Sequence, residues 1–285
     1  MKKILCPTDF SHTAMKAVDY AAEIAIRAGA HLSLLHVVHL PIVDTSETAL
    51  VASELLGEQM RDAEGRLKEL CMQTSEKYSS KSSAGFTCDY ILREALLTDI
   101  TEHLTKNEGY DLIVLGTTGV GNALEELLIG SNAEAILEQV NCPVLAVPAA
   151  AEAPVLNKVV YASDYAEGDK EALQYVFEIA KLFNATVDVV HVVKEATTES
   201  AQKAETFWSQ MQQAFPGYPL QFKEVTNKSR QQGLIDYYEA NHASLLAILR
   251  REKGFLRELF SQSLAERMTY KATVPLLVLQ SKKNK

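Results

Sequence analysis

Short apolar, β-branched runs alternate with longer stretches of helical periodicity along the whole chain. In residues 1–150 the runs Lys3–Cys6, His31–Val38, Phe86–Ile91, Asp111–Gly116 and Pro143–Pro148 have strand length and nearly continuous hydrophobicity. Between them, Ser11–Ala28, a long segment within Thr45–Tyr78, Glu94–Asn107 and Asn132–Gln139 carry helical patterns. Apolar strands separated by helices predict a parallel sheet covered on both faces. Ser11 suits the N-cap of the first helix, and Gly29 suits its C-terminal stop.

The plan then repeats. KKILCPTDFSHTAMKAVDYAAEIAIRAGAHLSLLHVV near the start is echoed from Asn157 by NKVVYASDYAEGDKEALQYVFEIAKLFNATVDVVHVV. Asp9 falls on Asp164 and His36 on His191, both at an offset of 155, and Pro143 falls on Pro275. From His36 to Pro143 is 107 residues and from His191 to Pro275 only 84, so the second copy is 23 shorter across its middle. Much of that loss can sit in Leu40–Ser83, whose counterpart lies around Lys194–Pro216. The chain therefore predicts two tandem α/β domains, 1–150 and 155–285, each with a five-stranded parallel sheet and helices on both faces. Ala149–Pro154 reads as the linker.

Composition narrows the function classes. The formal charge of −9 argues against a non-specific nucleic-acid binder, which needs a basic footprint. Residues 1–150 carry 11 Lys and Arg against 21 Asp and Glu, and the remainder 17 against 16. No run reaches the roughly 20 apolar residues of a membrane span. MKKIL mimics the start of an export signal, but Cys6-Pro7-Thr8-Asp9 interrupts the apolar run, so the expectation is a cytoplasmic chain without membrane contact. Cys6, Cys71, Cys88 and Cys142 are scattered without a C-x-x-C pair and read as buried or isolated thiols.

In such a sheet a ligand binds beyond the strand carboxyl ends where strand order reverses, between the first and fourth strands. The loops there are Pro7-Thr8-Asp9-Phe10-Ser11 and Gly116-Thr117-Thr118-Gly119-Val120-Gly121-Asn122, with Gly130-Ser131-Asn132 opening a later helix. Glycines let backbone N–H groups approach a phosphate, and a helix N-terminus favours negative charge. Asp9 could accept from an adenine amino group or a ribose hydroxyl. It could equally cap the first helix, as the survival of Asp164 in the second copy suggests. His36 and His191 read as packed or backbone-bonded. His36 with His39 has no third partner for a metal. No P-loop and no nucleophile–base motif is present.

ILCPTDFS, the LLHVV strand end, DLIVLGTTGVG followed by IGSNAEAIL, and NCPVLAVP together resemble the universal stress protein family, in order through both halves. The resemblance implies a Rossmann-like domain of the adenine nucleotide alpha hydrolase type that pairs through its last strand. In tandem members the two copies can pair within one chain; a homodimer is the other arrangement. ATP-binding members carry G-x2-G-x9-G-[ST]. Gly116, Gly119, Gly130 and Ser131 fit it, with ten residues instead of nine between Gly119 and Gly130. By the same resemblance Pro7, Thr8 and Asp9 lie by adenine and ribose, Val37 contacts the base, and Leu115 and Asn132 flank the glycine elements. The implied ligand is ATP, or ADP or AMP, with or without Mg²⁺.

The second copy departs from this pattern. Leu249 replaces Gly116, and Gln262-Ser263 replace Gly130-Ser131, so no nucleotide is expected there in the family's manner. Arg250, Arg251, Lys253 and Arg257 read as a solvated face complementing the acidic first half, with an anion or partner patch as the other reading. Replacing Gly116 or Gly130 by Leu is expected to abolish binding and leave the fold intact. The expectation is a stress-associated nucleotide binder with at most slow hydrolysis or autophosphorylation. The alternative is a stress-response scaffold that binds no nucleotide and acts through dimerisation and partners.

Overall fold

The computed structural model describes residues 1–39, 46–80, 86–117, 131–165, 168–250 and 275–280. They fall into two compact units, divided after Ala149.

The first unit runs β1 (Lys3–Pro7), α1 (His12–Ala28), β2 (His31–Val38), α2 (Ser46–Ser79), β3 (Cys88–Glu94), α3 (Leu97–Asn107), β4 (Leu112–Thr117), α4 (Ser131–Gln139) and β5 (Val144–Pro148). All its strand pairs are parallel, in the order β3-β2-β1-β4-β5. The inner strands are covered on both faces, which is why their sequences do not alternate: Ile4, Leu5, Leu32, Leu34, Leu35, Leu112 and Ile113 are all fully buried. Each such side chain contributes about 1.5–3 kcal/mol relative to exposure.

Helix α1 begins where its sequence says it should. The Ser11 hydroxyl accepts from Ala14 N–H at 3.2 Å. The helix ends at Gly29, left-handed at φ 61°, with Gly29 N–H donating to the Ile26 carbonyl and Ala30 N–H to that of Ala25. Its buried face is rich in alanine, at Ala14, Ala17, Ala21 and Ala25, so the helix axis can approach the sheet closely.

The second unit repeats this plan with β6 (Lys158–Ala162), α5 (Asp169–Phe183), β7 (Thr186–Val193), α6 (Thr198–Ala214), β8 (Leu220–Thr226), α7 (Arg230–Ala240), β9 (Leu245–Arg250) and β10 (Leu276–Gln280). Its strands are parallel in the order β10-β9-β6-β7-β8. Asn184, at φ 55°, ends α5 with the same pair of backbone hydrogen bonds that Gly29 makes. Asp111 accepts from the backbone of Lys2 and Lys3 at the start of β1. Ser244 accepts from Asn157 and Lys158 at the start of β6. Much of the length difference lies in one helix: α2 has 34 residues and its counterpart α6 has 17.

Candidate functional site

The order β3-β2-β1-β4-β5 reverses direction at β1 and β4, so those strands bound the crevice at their carboxyl ends. They are paired only at Ile4–Leu112 and Leu5–Ile113. Beyond that, Cys6 and Pro7 keep their partners on β2, and Val114 to Thr117 keep theirs on β5. In the second unit the equivalent strands stay paired through four positions, from Val159–Leu245 to Ala162–Ile248. The first sheet therefore splits where the second stays closed.

The turn after β1 is tightly specified. Thr8 N–H donates to the Leu35 carbonyl at 2.8 Å and the Thr8 hydroxyl accepts from Phe10 N–H at 3.1 Å. Phe10 is left-handed at φ 64°, a costly conformation for an aromatic residue that the surrounding contacts hold in place. Its ring packs on His36 with centroids 4.6 Å apart, and the Arg66 guanidinium from α2 lies 4.1 Å over it. His36 Nδ1 is 2.7 Å from the Thr8 carbonyl oxygen. That oxygen can only accept, so Nδ1 carries the proton and donates. Val37 follows His36 and is half-buried at the end of β2.

Asp9 is exposed, and its Oδ1 accepts from Ser11 N–H at 2.9 Å. Partial burial works to raise its carboxyl, but the Ser11 hydrogen bonds and the nearby His36 outweigh it and hold Asp9 below its ordinary value. Ser11 is itself the N-cap of α1, so the Asp9 bond closes the turn that leads into the helix.

On the other side of the crevice Leu115 is buried at the end of β4. Gly116 follows, and a Cβ built there would stand 2.8 Å from the Thr13 carbonyl oxygen. This glycine is required by the packing of β4 under the first turn of α1. The expectation that Gly116→Leu spares the fold is therefore wrong for that position. Gly119 and Gly130 lie outside the described residues. Ser131 opens α4, and Asn132 is exposed in its first turn. Pro7, Thr8, Asp9, Val37, Leu115 and Gly116 thus stand at the carboxyl ends of β1, β2 and β4.

The second unit has the same turn with different contents. Tyr165 is left-handed at φ 61° and stacks on His191 at 3.9 Å, and His191 Nδ1 lies 2.7 Å from the Ser163 carbonyl oxygen. Where Arg66 covers Phe10, Phe207 from α6 packs on Tyr165 at 5.0 Å. Tyr161 and Ser163 both donate to the buried carboxylate of Asp169, at 2.7 and 2.6 Å. By the repeat offset these three replace Cys6, Thr8 and Ala14. Of the basic cluster in this half, only Arg250 lies among the described residues.

The sequence model of the universal stress protein family matches residues 1–148 and again 156–280. The chain belongs to the universal stress protein family. A universal stress protein of Methanocaldococcus jannaschii is 32% identical over 149 residues, 51% of this chain and 81% of that protein. One from Synechocystis is 23% identical over 294 residues and spans 98% of this chain and 100% of its own length, so it shares the tandem arrangement. The crystal structure of a universal stress protein from Archaeoglobus fulgidus superposes with a TM-score of 0.70 at 19% identity, covering 98% of each chain, and so shares the fold.

Sequence reasoning missed Arg66. It stands 56 positions from Phe10, and no spacing rule joins a mid-helix arginine to a turn so distant in the chain. It also read the four cysteines as buried or isolated thiols; Cys6 and Cys71 are buried, but Cys71 and Cys88 line one groove. Among the described residues no cluster of three or more His, Cys, Asp or Glu could hold a metal, and no helix is long and apolar enough to cross a membrane.

Proposed function

We propose that the first unit binds an adenine nucleotide, ATP or its di- or monophosphate, in the crevice where β1 and β4 part, and that the chain is a cytoplasmic stress-response protein. The observation that carries this reading is the early split of the first sheet, two paired positions against four in the second. A parting of strands at the switch point exposes backbone groups to a ligand. Asp9 and Val37 then stand on the base and ribose side. The N-terminus of α4 stands on the phosphate side, where backbone N–H groups and the helix dipole favour anions, and the family's glycine pattern gives Gly119 and Gly130 the same role. Mg²⁺ would arrive with the nucleotide's phosphates. The second unit, closed at the same place and filled by Tyr161, Tyr165 and Asp169, serves as a structural partner.

The experiment is release and titration. Heating the purified chain and identifying any liberated small molecule by mass spectrometry should yield an adenine nucleotide. Calorimetry with ATP–Mg²⁺ should give one site per chain. Absence of both a released nucleotide and a calorimetric signal would overturn the reading in favour of a scaffold that works through partner proteins.

A further inference from the structure

Cys71 sits in the C-terminal third of α2, and Cys88 is the first residue of β3, against which that helix packs. Both line a surface groove of about 480 Å³, with Lys68, Met72, Glu76 and Asp89 around them. Cys71 is buried, at 8% exposed, and Cys88 is partly exposed, and both side chains border the groove. The two thiols lie together along the groove, close enough for each to perturb the other. The neighbouring Cys88 thiol holds the Cys71 thiol below its ordinary value, against burial and the Asp89 charge, while Cys71 and burial push Cys88 up. The Cys88 thiol donates to the Asp89 carbonyl oxygen, 3.8 Å away. The other two cysteines differ. Cys6 is fully buried, and burial raises the Cys142 thiol to about 12.

We propose that Cys71 and Cys88 form a reversible dithiol–disulfide pair oxidised by hydroperoxides that enter this groove. The Cys71 thiolate attacks one peroxide oxygen and the O–O bond breaks. The departing oxygen leaves as water for hydrogen peroxide, or as an alcohol for an organic hydroperoxide, and Cys71 becomes a sulfenic acid. The Cys88 sulfur then attacks the Cys71 sulfur, the S–O bond breaks, and the hydroxyl leaves as water with the Cys88 proton. Two thiols lose two electrons and the peroxide gains them. An external dithiol reverses the change by two exchange steps. The bond ties α2, which carries Arg66 onto Phe10, to β3 at the edge of the sheet.

The test uses the full reduced chain treated with hydrogen peroxide, blocked with iodoacetamide and digested without reductant. The expected result is a Cys71–Cys88 linked peptide, loss of two of the four thiols within a monomeric chain, and full recovery with dithiothreitol. Cys88→Ser should stop at a sulfenic acid on Cys71 that dimedone traps, and Cys71→Ser should yield neither product. Survival of all four thiols, linkage to Cys6 or Cys142 or between chains, or dimedone capture on Cys88 in place of Cys71 would overturn the proposal. The linked peptide is read on the unaltered chain, so an unstable serine variant does not blunt the result.

Discussion

Gly116 on β4 lies so close to Thr13 at the start of α1 that a Cβ would meet the threonine carbonyl oxygen at 2.8 Å and Ala14 N at 3.0 Å. The repeat places Leu249 and Gly168 at the equivalent positions. Gly168 is left-handed at φ 98° and precedes Asp169 in the turn into α5. The small residue has moved from strand to helix between the copies, while the strand–helix junction is kept.

Gly116→Ala should therefore destabilise the first unit by about 1–3 kcal/mol, the usual cost of forcing atoms into a filled core. Urea unfolding would measure it. Gly116→Leu should cost more, because the atoms a side chain meets there are backbone atoms of Thr13 and Ala14. A melting profile unchanged by Gly116→Ala would show that the junction relaxes freely.

Asp9 makes an acid-dependent contribution to stability. Its folded value is depressed, so that contribution is complete above the ordinary value of 3.8 and disappears as pH falls through the lower folded value. The carboxylate is exposed, so solvent screening keeps the effect small. Asp9→Asn should flatten the stability curve below about pH 4 and leave its slope near neutrality unchanged. An acid slope identical to that of the parent chain would contradict this.

Tyr161→Phe tests the polar cluster of the second unit. It removes a hydroxyl donor from Asp169, a carboxylate 1% exposed that also accepts from Ser163, and should cost about 1–3 kcal/mol. Chemical denaturation of the full chain, followed through a probe specific to the second unit, would report it. No loss would mean that water or another group replaces the phenol.

The two crevices should also differ in ligand count. One nucleotide per chain is expected, reduced at least tenfold in affinity by Gly130→Leu and unchanged by Asp164→Asn. Equilibrium dialysis with labelled ATP reads both. Two nucleotides per chain would show that the second unit binds as well.

Most of the architecture was legible because its causes are local. Ser11 and Gly29 bound α1 through their own conformational preferences, and His31–Val38 reads as a strand from its apolar run alone. The boundaries of β3 were less clear: the run Phe86–Ile91 suggested an early strand, whereas the ladder with β2 begins at Cys88 and continues to Glu94. An edge strand follows its neighbour's register more than its own hydrophobicity, since one side of it has no partner strand. The positive φ of Phe10 and Tyr165 was hidden for a related reason. An aromatic residue has no intrinsic preference for that conformation, and the histidine that packs on each ring arrives from 26 residues away.

The amino-acid sequence by itself determined the repeat, the parallel α/β design of each copy and the loops that flank the switch point, because periodicity, caps and turn residues act over a few positions. Only the tertiary structure decided that Gly116 serves helix packing, that the first sheet parts sooner than the second, that Arg66 covers Phe10 and that Cys71 meets Cys88. Those depend on which surfaces the folded chain presses together, and close packing makes such meetings depend on side-chain volumes far apart in sequence.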